Sequence, residues 1–327
     1  MASISRYKSI FIYCVFLGIS YLMASRDLGV SKDDFAYLNH FMGVRNTFEY
    51  GYLSWFFSDP LWSAYTSNIG FWLGEEIGYR ITIFLSTFLY LFFAFKFTRS
   101  FTFTLSLFFL TFELIAQLFF NQIRQGFAIS ILLSSFYLNS IGKRKFSYAI
   151  LLIAPFIHFS SFIIVVLYFL STQKRFVFWN TFSKNLNLIL LLILIFFINK
   201  YINIDNLFQE KNYELIRQSF TLNFYILITF YFYLFLNSNS DNRYDKKTFL
   251  IYLGIFFYFM LYFFASFAGR YLYFVIGFAP LFFNNFVNSS KQRRIFVLWL
   301  VIHSGLNLIL SFNSEDNYIS RITLLLS

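Results

Sequence analysis

The sequence predicts an all-α fold, a polytopic integral membrane helical bundle of about 10–11 membrane segments with a long external loop after the first span. Composition is the first ground: of 327 residues only 13% are charged and 58% are hydrophobic, with a mean hydropathy of +0.62, whereas soluble domains carry about 25% charge. The second is spacing. Apolar runs near the ~20 residues needed to cross a ~30 Å hydrocarbon core recur along the chain, and helices alone satisfy their own backbone hydrogen bonds there. The third is the distribution of charge: a formal +11 would suggest nucleic acid in a soluble protein, but in membrane proteins Lys and Arg gather in cytoplasmic loops.

The first run, 10–24, follows Arg6 and Lys8. Leu22-Met23-Ala24-Ser25-Arg26 offers no A-x-A cleavage signal, so the run is expected to stay as an uncleaved span with a cytoplasmic N-terminus. The stretch 25–79 is the longest interruption and holds half-apolar patches such as Tyr52-Leu53-Ser54-Trp55-Phe56-Phe57. It is expected to lie along the outer, periplasmic interface as short amphipathic segments. Further spans are expected at 81–95, 101–120, 123–141, 186–199, 221–236, 249–267, 271–287 and 295–312. The stretch 146–170 carries Pro155 and His158 at its middle. A single crossing there would put Arg243, Lys246, Lys247, Lys291, Arg293 and Arg294 outside. A hairpin broken at Pro155 to His158 keeps them inside, and proline interrupts helical hydrogen bonding. With that hairpin, sixteen of the 26 Lys and Arg but only two of the 15 acids face the cytoplasm. The chain thus reads as one polytopic membrane domain, 1–327.

Soluble-enzyme motifs are silent: there is no H-E-x-x-H, no Walker loop and no G-x-S-x-G. The one cysteine, Cys14, and the dispersed His40, His158 and His303 give no metal-ligand spacing, so neither metal nor cofactor is expected. Ionisable groups near a membrane core are costly, which directs attention to the few on the outer side. Asn121-Gln122-Ile123-Arg124-Gln125 begins a span, where free N–H groups attract anions and Arg124 adds a fork suited to phosphate oxygens; an arginine snorkelling to headgroups is the plainer alternative. Gly269-Arg270-Tyr271 repeats the arrangement, with Tyr271 equally suited to an interfacial aromatic belt. His158 stands where the hairpin breaks, either as a buried neutral imidazole on a freed carbonyl or as a general base. Arg26, Asp33, Asp34, Tyr37 and Glu49 lie in the outer loop, where carboxylates suit sugar hydroxyls, a proton or a divalent ion, a solvated acidic loop being the plainer alternative. Glu113 lies within a span and has two readings, a protonated acid or an arginine's partner.

Taken in order, Arg26-x-x-Gly29-x-x-x-Asp33-x-x-x-Tyr37, Glu49-x-Gly51, Gln122-Ile123-Arg124-Gln125-x-x-Ala128, Phe156-Ile157-His158-Phe159-Ser160-Ser161 and Gly269-Arg270 resemble the EpsG-like and Wzy-type polymerases of bacterial surface polysaccharides. The usual acid of the first motif is here a doublet, which leaves Asp33 and Asp34 unranked. The resemblance implies an enzyme at the outer face of the bacterial inner membrane that joins undecaprenyl-diphosphate-linked oligosaccharide repeat units into long-chain O-antigen or capsular polysaccharide, with a separate membrane protein regulating chain length. Chemistry then suggests roles. Arg124, Arg270 and Arg26 suit the leaving diphosphate, His158, Asp33, Asp34 and Glu49 are candidates for the base, and Gln122, Gln125, Tyr37 and Tyr271 are candidates to position substrate. Two other functions fit the same features: a membrane glycosyltransferase decorating the polymer from a lipid-phosphate sugar, and a flippase or transporter, for which broken helices are also typical.

Overall fold

The computed structural model describes residues 2–29, 33–43, 59–110, 116–120 and 122–172, with 277, 278, 280, 281, 298, 301 and 302. Among the described residues every regular element is a helix, in agreement with the expected all-α class. Two compact units divide the chain: Met1–Phe162 with Gly277–Ser327, and Ile163–Ile276. Of the expected spans, those at 10–24, 81–95 and 123–141 fall on described helices and that at 101–120 does so in part; those at 186–199, 221–236 and 249–267 lie outside the described residues, and those at 271–287 and 295–312 almost entirely so.

In the first unit α1 (Ala2–Ser25) is the opening apolar run. Among the described residues of 25–79 stand two short helices, α2 (Asp34–Phe41) and α3 (Pro60–Leu73), and α4 (Glu75–Thr98) follows. The helix of the second span therefore starts six residues, nearly two turns, earlier than the hydropathy edge suggests. Glu75 and Glu76 supply the reason, since acids in a first turn complement the helix dipole. Gly74, at φ 81, makes the corner between α3 and α4, a conformation that an L side chain resists. α3 buries Trp62 and Thr66, yet its exposed side carries Phe71 and Trp72, aromatics of the kind that sit at a membrane interface.

α4 is, among the described residues, the one helix long and apolar enough to cross a membrane, and it is also the hub. Its buried stripe runs Gly78/Tyr79, Thr82/Ile83, Ser86/Thr87, Tyr90/Leu91, Ala94, Phe97/Thr98, the three-to-four spacing of one helical face. Small and hydroxyl residues in that stripe let neighbours approach closely, as expected where lipid removes the hydrophobic drive between helices. α1 packs on it through Phe16 against Phe95 (5.8 Å) and Tyr13 against Phe92 (5.5 Å).

The run 101–120, expected as one span, contains α5 (Phe101–Leu110) and α6 (Ala116–Phe120), with 111–115, and Glu113 among them, outside the described residues. α7 (Ile123–Ser140) follows and packs on α4, where Ser130 Oγ donates to the Ser86 carbonyl at 2.8 Å. Gly126 is required at this crossing, because a Cβ there would overlap the Leu118 backbone carbonyl of α6. α8 (Arg144–Ile157) lies against α7 and α3 and carries Pro155 in its last turn. His158 is extended (φ −150, ψ 110), and α9 (Ser161–Thr172) begins three residues later, passing into the second unit. The helix thus breaks at the predicted place. At about 1.5 Å per residue the 14 residues of α8 reach only about 21 Å, short of a full crossing.

Candidate functional site

Two carboxylates organise the polar groups of the first unit. The first is Asp34, at the start of α2. Arg26 grips it with both arms, Nη1 to Oδ2 and Nη2 to Oδ1, each at 2.6 Å, and the two side chains are 1% and 0% exposed. Tyr79 on α4 donates its hydroxyl to Oδ1 at 2.6 Å, and the Gly29 amide donates to Oδ2 at 2.9 Å. Such a fork is strong, and burial of the two charges is tolerated because nearly all of their other sites are also satisfied, Arg26 Nε alone lacking a hydrogen-bond partner among the described residues. Arg26 also donates from Nη2 to the Phe120 carbonyl at 3.0 Å and lies 4.2 Å over the Phe120 ring. Phe120 ends α6, two residues before the Gln122 cap of α7, so this arginine holds the turn that presents Arg124.

The second carboxylate is Asp59, which caps α3 with a left-handed backbone (φ 56, ψ 63). Its Oδ1 accepts the Phe159 amide at 2.7 Å, the donor that the break after α8 frees from helical bonding. Its Oδ2 accepts Arg124 Nη1 at 2.8 Å and stands 3.5 Å from His158 Nδ1. Burial pushes the Asp59 carboxyl up, but it is outweighed by His158 first and then by Arg124 and the Phe159 amide, which hold it below the usual carboxylate range. The Arg124 side chain is 26% exposed, and its Nε has no hydrogen-bond partner among the described residues. One carboxylate therefore joins an arginine at a helix start to a histidine at a helix break.

Tyr37 stands between the clusters. Its ring lies 5.8 Å from the Arg124 guanidinium and stacks on Tyr79 at 6.2 Å, within an aromatic group that includes Trp62 and Phe41. Burial raises its hydroxyl above the usual range; Arg124 opposes the rise and Asp33 adds to it, so the phenol stays neutral.

The structure thus brings together Arg124, His158 and Tyr37, and separates the acid doublet, with Asp34 buried on Arg26 and Asp33 exposed at the helix cap. Gln122 caps α7 with its Oε1 buried and unpartnered among the described residues, while Gln125 is buried. Glu49, Arg270 and Tyr271 lie outside the described residues. Sequence reasoning missed Asp59 and Tyr79. Asp59-Pro60 ahead of an apolar run is an ordinary helix-start signal, and that is how it reads until the fold shows what the carboxylate reaches. Nothing local marks Tyr79.

A family model described as the EpsG family matches residues 9–321 of the chain. No curated protein and no solved structure matches it.

Proposed function

The chain belongs to the EpsG family, and from that premise we propose that it polymerises lipid-diphosphate-linked oligosaccharide repeat units into a surface polysaccharide at the outer face of the inner membrane. Family membership assigns a membrane-associated, polymerase-like role in surface polysaccharide biosynthesis; the substrate, the leaflet and the residue roles are our reading. The observation that carries it is the Arg124–Asp59–His158 cluster, a cation with donors to spare beside an imidazole at a broken helix.

The reaction transfers a growing glycan from its lipid diphosphate to a hydroxyl of an incoming lipid-linked unit. A bond forms between that hydroxyl oxygen and the anomeric carbon, the bond from that carbon to the diphosphate oxygen breaks, and lipid diphosphate leaves with the electron pair. The diphosphate is a good leaving anion, so the first need is fixed positive charge where negative charge develops. Arg124 meets it, and Arg270 is a second candidate. The hydroxyl proton passes to His158 as general base. Gln122, at the cap of α7, and Tyr37, against Arg124, are assigned to substrate positioning, as are Gln125 and Tyr271, while Asp33 and Glu49 remain candidate contacts for sugar hydroxyls. Arg26 and Asp34, which the sequence suggested for diphosphate and base, are assigned here to the scaffold, since each already occupies the other.

The test is a deletion strain complemented with the parent chain, Arg124→Ala or His158→Ala, with protein confirmed in the membrane. Polymerase function predicts that single lipid-linked units accumulate in the outer leaflet and that long chains are lost in both variants. Normal ladders from both would overturn the reading. Loss of units from the outer leaflet would indicate a flippase, and loss of one branch sugar at unchanged chain length a decorating transferase.

A further inference from the structure

We propose that Asp59 is a positioning residue for this reaction: it orients His158, and it is handed over from Arg124 to His158 when a diphosphate oxygen takes the guanidinium. The inference rests on the polymerase reading above.

Three observations carry it. Asp59 is anchored by one oxygen and shared by the other: the Phe159 amide fixes Oδ1 at 2.7 Å, while Oδ2 serves Arg124 at 2.8 Å and faces His158 Nδ1 at 3.5 Å. Oδ2 is thus shared unequally, closer to Arg124 than to His158, and has room to tighten onto the imidazole when Arg124 is taken. The backbone is left-handed at a residue that precedes proline, where the helical regions are disfavoured. Aspartate tolerates this better than most residues, yet the cost persists only where surroundings enforce it, a pattern found at functional sites. Finally, the carboxylate side chain is 8% exposed, so it needs cationic company wherever it turns. An incoming anion that takes Arg124 leaves His158 as the nearest replacement.

A carboxylate on Nδ1 holds an imidazole in the tautomer whose Nε2 takes a proton, and it stabilises the imidazolium that results. Binding of the leaving group would thereby ready the base. The charged and titratable groups facing Asp59 are Arg124 from α7 and His158 from the break, with Tyr37 of α2 against Arg124, and Asp33 acting on both Tyr37 and Arg124.

The experiment uses purified full-length protein in lipid nanodiscs with lipid-diphosphate-linked repeat units, comparing parent, Asp59→Asn, Asp59→Glu, Arg124→Ala and His158→Ala. Initial rates are taken against substrate and pH, with inorganic pyrophosphate as inhibitor. Asp59→Asn is expected to lower kcat at least tenfold with KM changed less than threefold. It should also move the acidic limb of the pH–rate profile to lower pH, because the charge that favours the imidazolium is gone. Pyrophosphate should inhibit it at least threefold more tightly, since the competing carboxylate no longer holds Arg124. Asp59→Glu keeps the charge, so its acidic limb should stay at the parent position while kcat falls. Parent-like kcat and limb in Asp59→Asn, with Arg124→Ala and His158→Ala inactive, would overturn this inference and leave the polymerase reading standing. Weaker pyrophosphate inhibition in Asp59→Asn, or a limb shifted in Asp59→Glu, would also overturn it. No polymer from the parent protein would overturn both.

Discussion

Replacing Asp34 by Ala removes one half of a buried ion pair and leaves the other half in place. Arg26 would lose two 2.6 Å bonds and keep the 3.0 Å bond to the Phe120 carbonyl, while the Tyr79 hydroxyl would lose its acceptor. With both side chains at 1% exposure or less, the guanidinium cannot turn to water without moving α2 or the α6–α7 turn. Removing one partner of such a pair costs about 3–5 kcal/mol, roughly a hundred- to several-thousand-fold in the folding equilibrium. The assay is thermal melting of the full-length protein in detergent, followed by loss of the monodisperse species, together with abundance in the membrane. A fall in Tm on the order of 5–10 °C is expected for Asp34→Ala. Asp33→Ala, at the exposed neighbour, should stay within about 0.5 kcal/mol of parent. A triple change, Arg26→Met with Asp34→Leu and Tyr79→Phe, removes all three polar partners and should recover much of the loss, because an apolar replacement leaves no charge stranded. It also separates scaffold from chemistry: the stable triple variant should still polymerise. Unchanged Tm and abundance for Asp34→Ala would refute the buried bridge, and a stable but inactive triple variant would return Arg26 to the substrate.

Three further outcomes are expected. Gly126→Ala pushes a Cβ into the Leu118 carbonyl and should cost about 1–3 kcal/mol, read by the same melt, whereas Gly18→Ala, with open space around it on α1, should be neutral or stabilising by up to about 1 kcal/mol. Arg124→Lys, scored on the polysaccharide ladder, should shorten chains despite the retained charge, because a point charge does not reproduce the planar fork. The depressed Asp59 carboxyl contributes stability that is fully present above its ordinary value near pH ~4 and is lost as pH falls through the lower folded value. The Tm difference between parent and Asp59→Asn should therefore shrink as pH falls below about pH 4.

Much of the framework was legible because it is local. The helical class and the break at Pro155 to His158 each follow from residues within a few positions of one another. Arg124 and His158 stood out for a similar reason, being costly groups in apolar surroundings. The early start of α4 was hidden because a hydropathy edge marks where apolar residues begin, and a helix can begin before them.

By itself, then, the sequence determined that this is a helical membrane protein, where its helices break, and the ordered motifs that mark the family. Only the tertiary structure decided what each charge is for. Asp33 and Asp34 are adjacent and chemically equal, and they differ because the start of α2 turns one to the surface and the other onto Arg26. Asp59 acquired its place through partners 65 and 100 residues away, Arg124 and the Phe159 amide. The physical reason is that a charge becomes specific when burial removes its water and leaves it a few partners to choose from, and those partners are chosen by the fold.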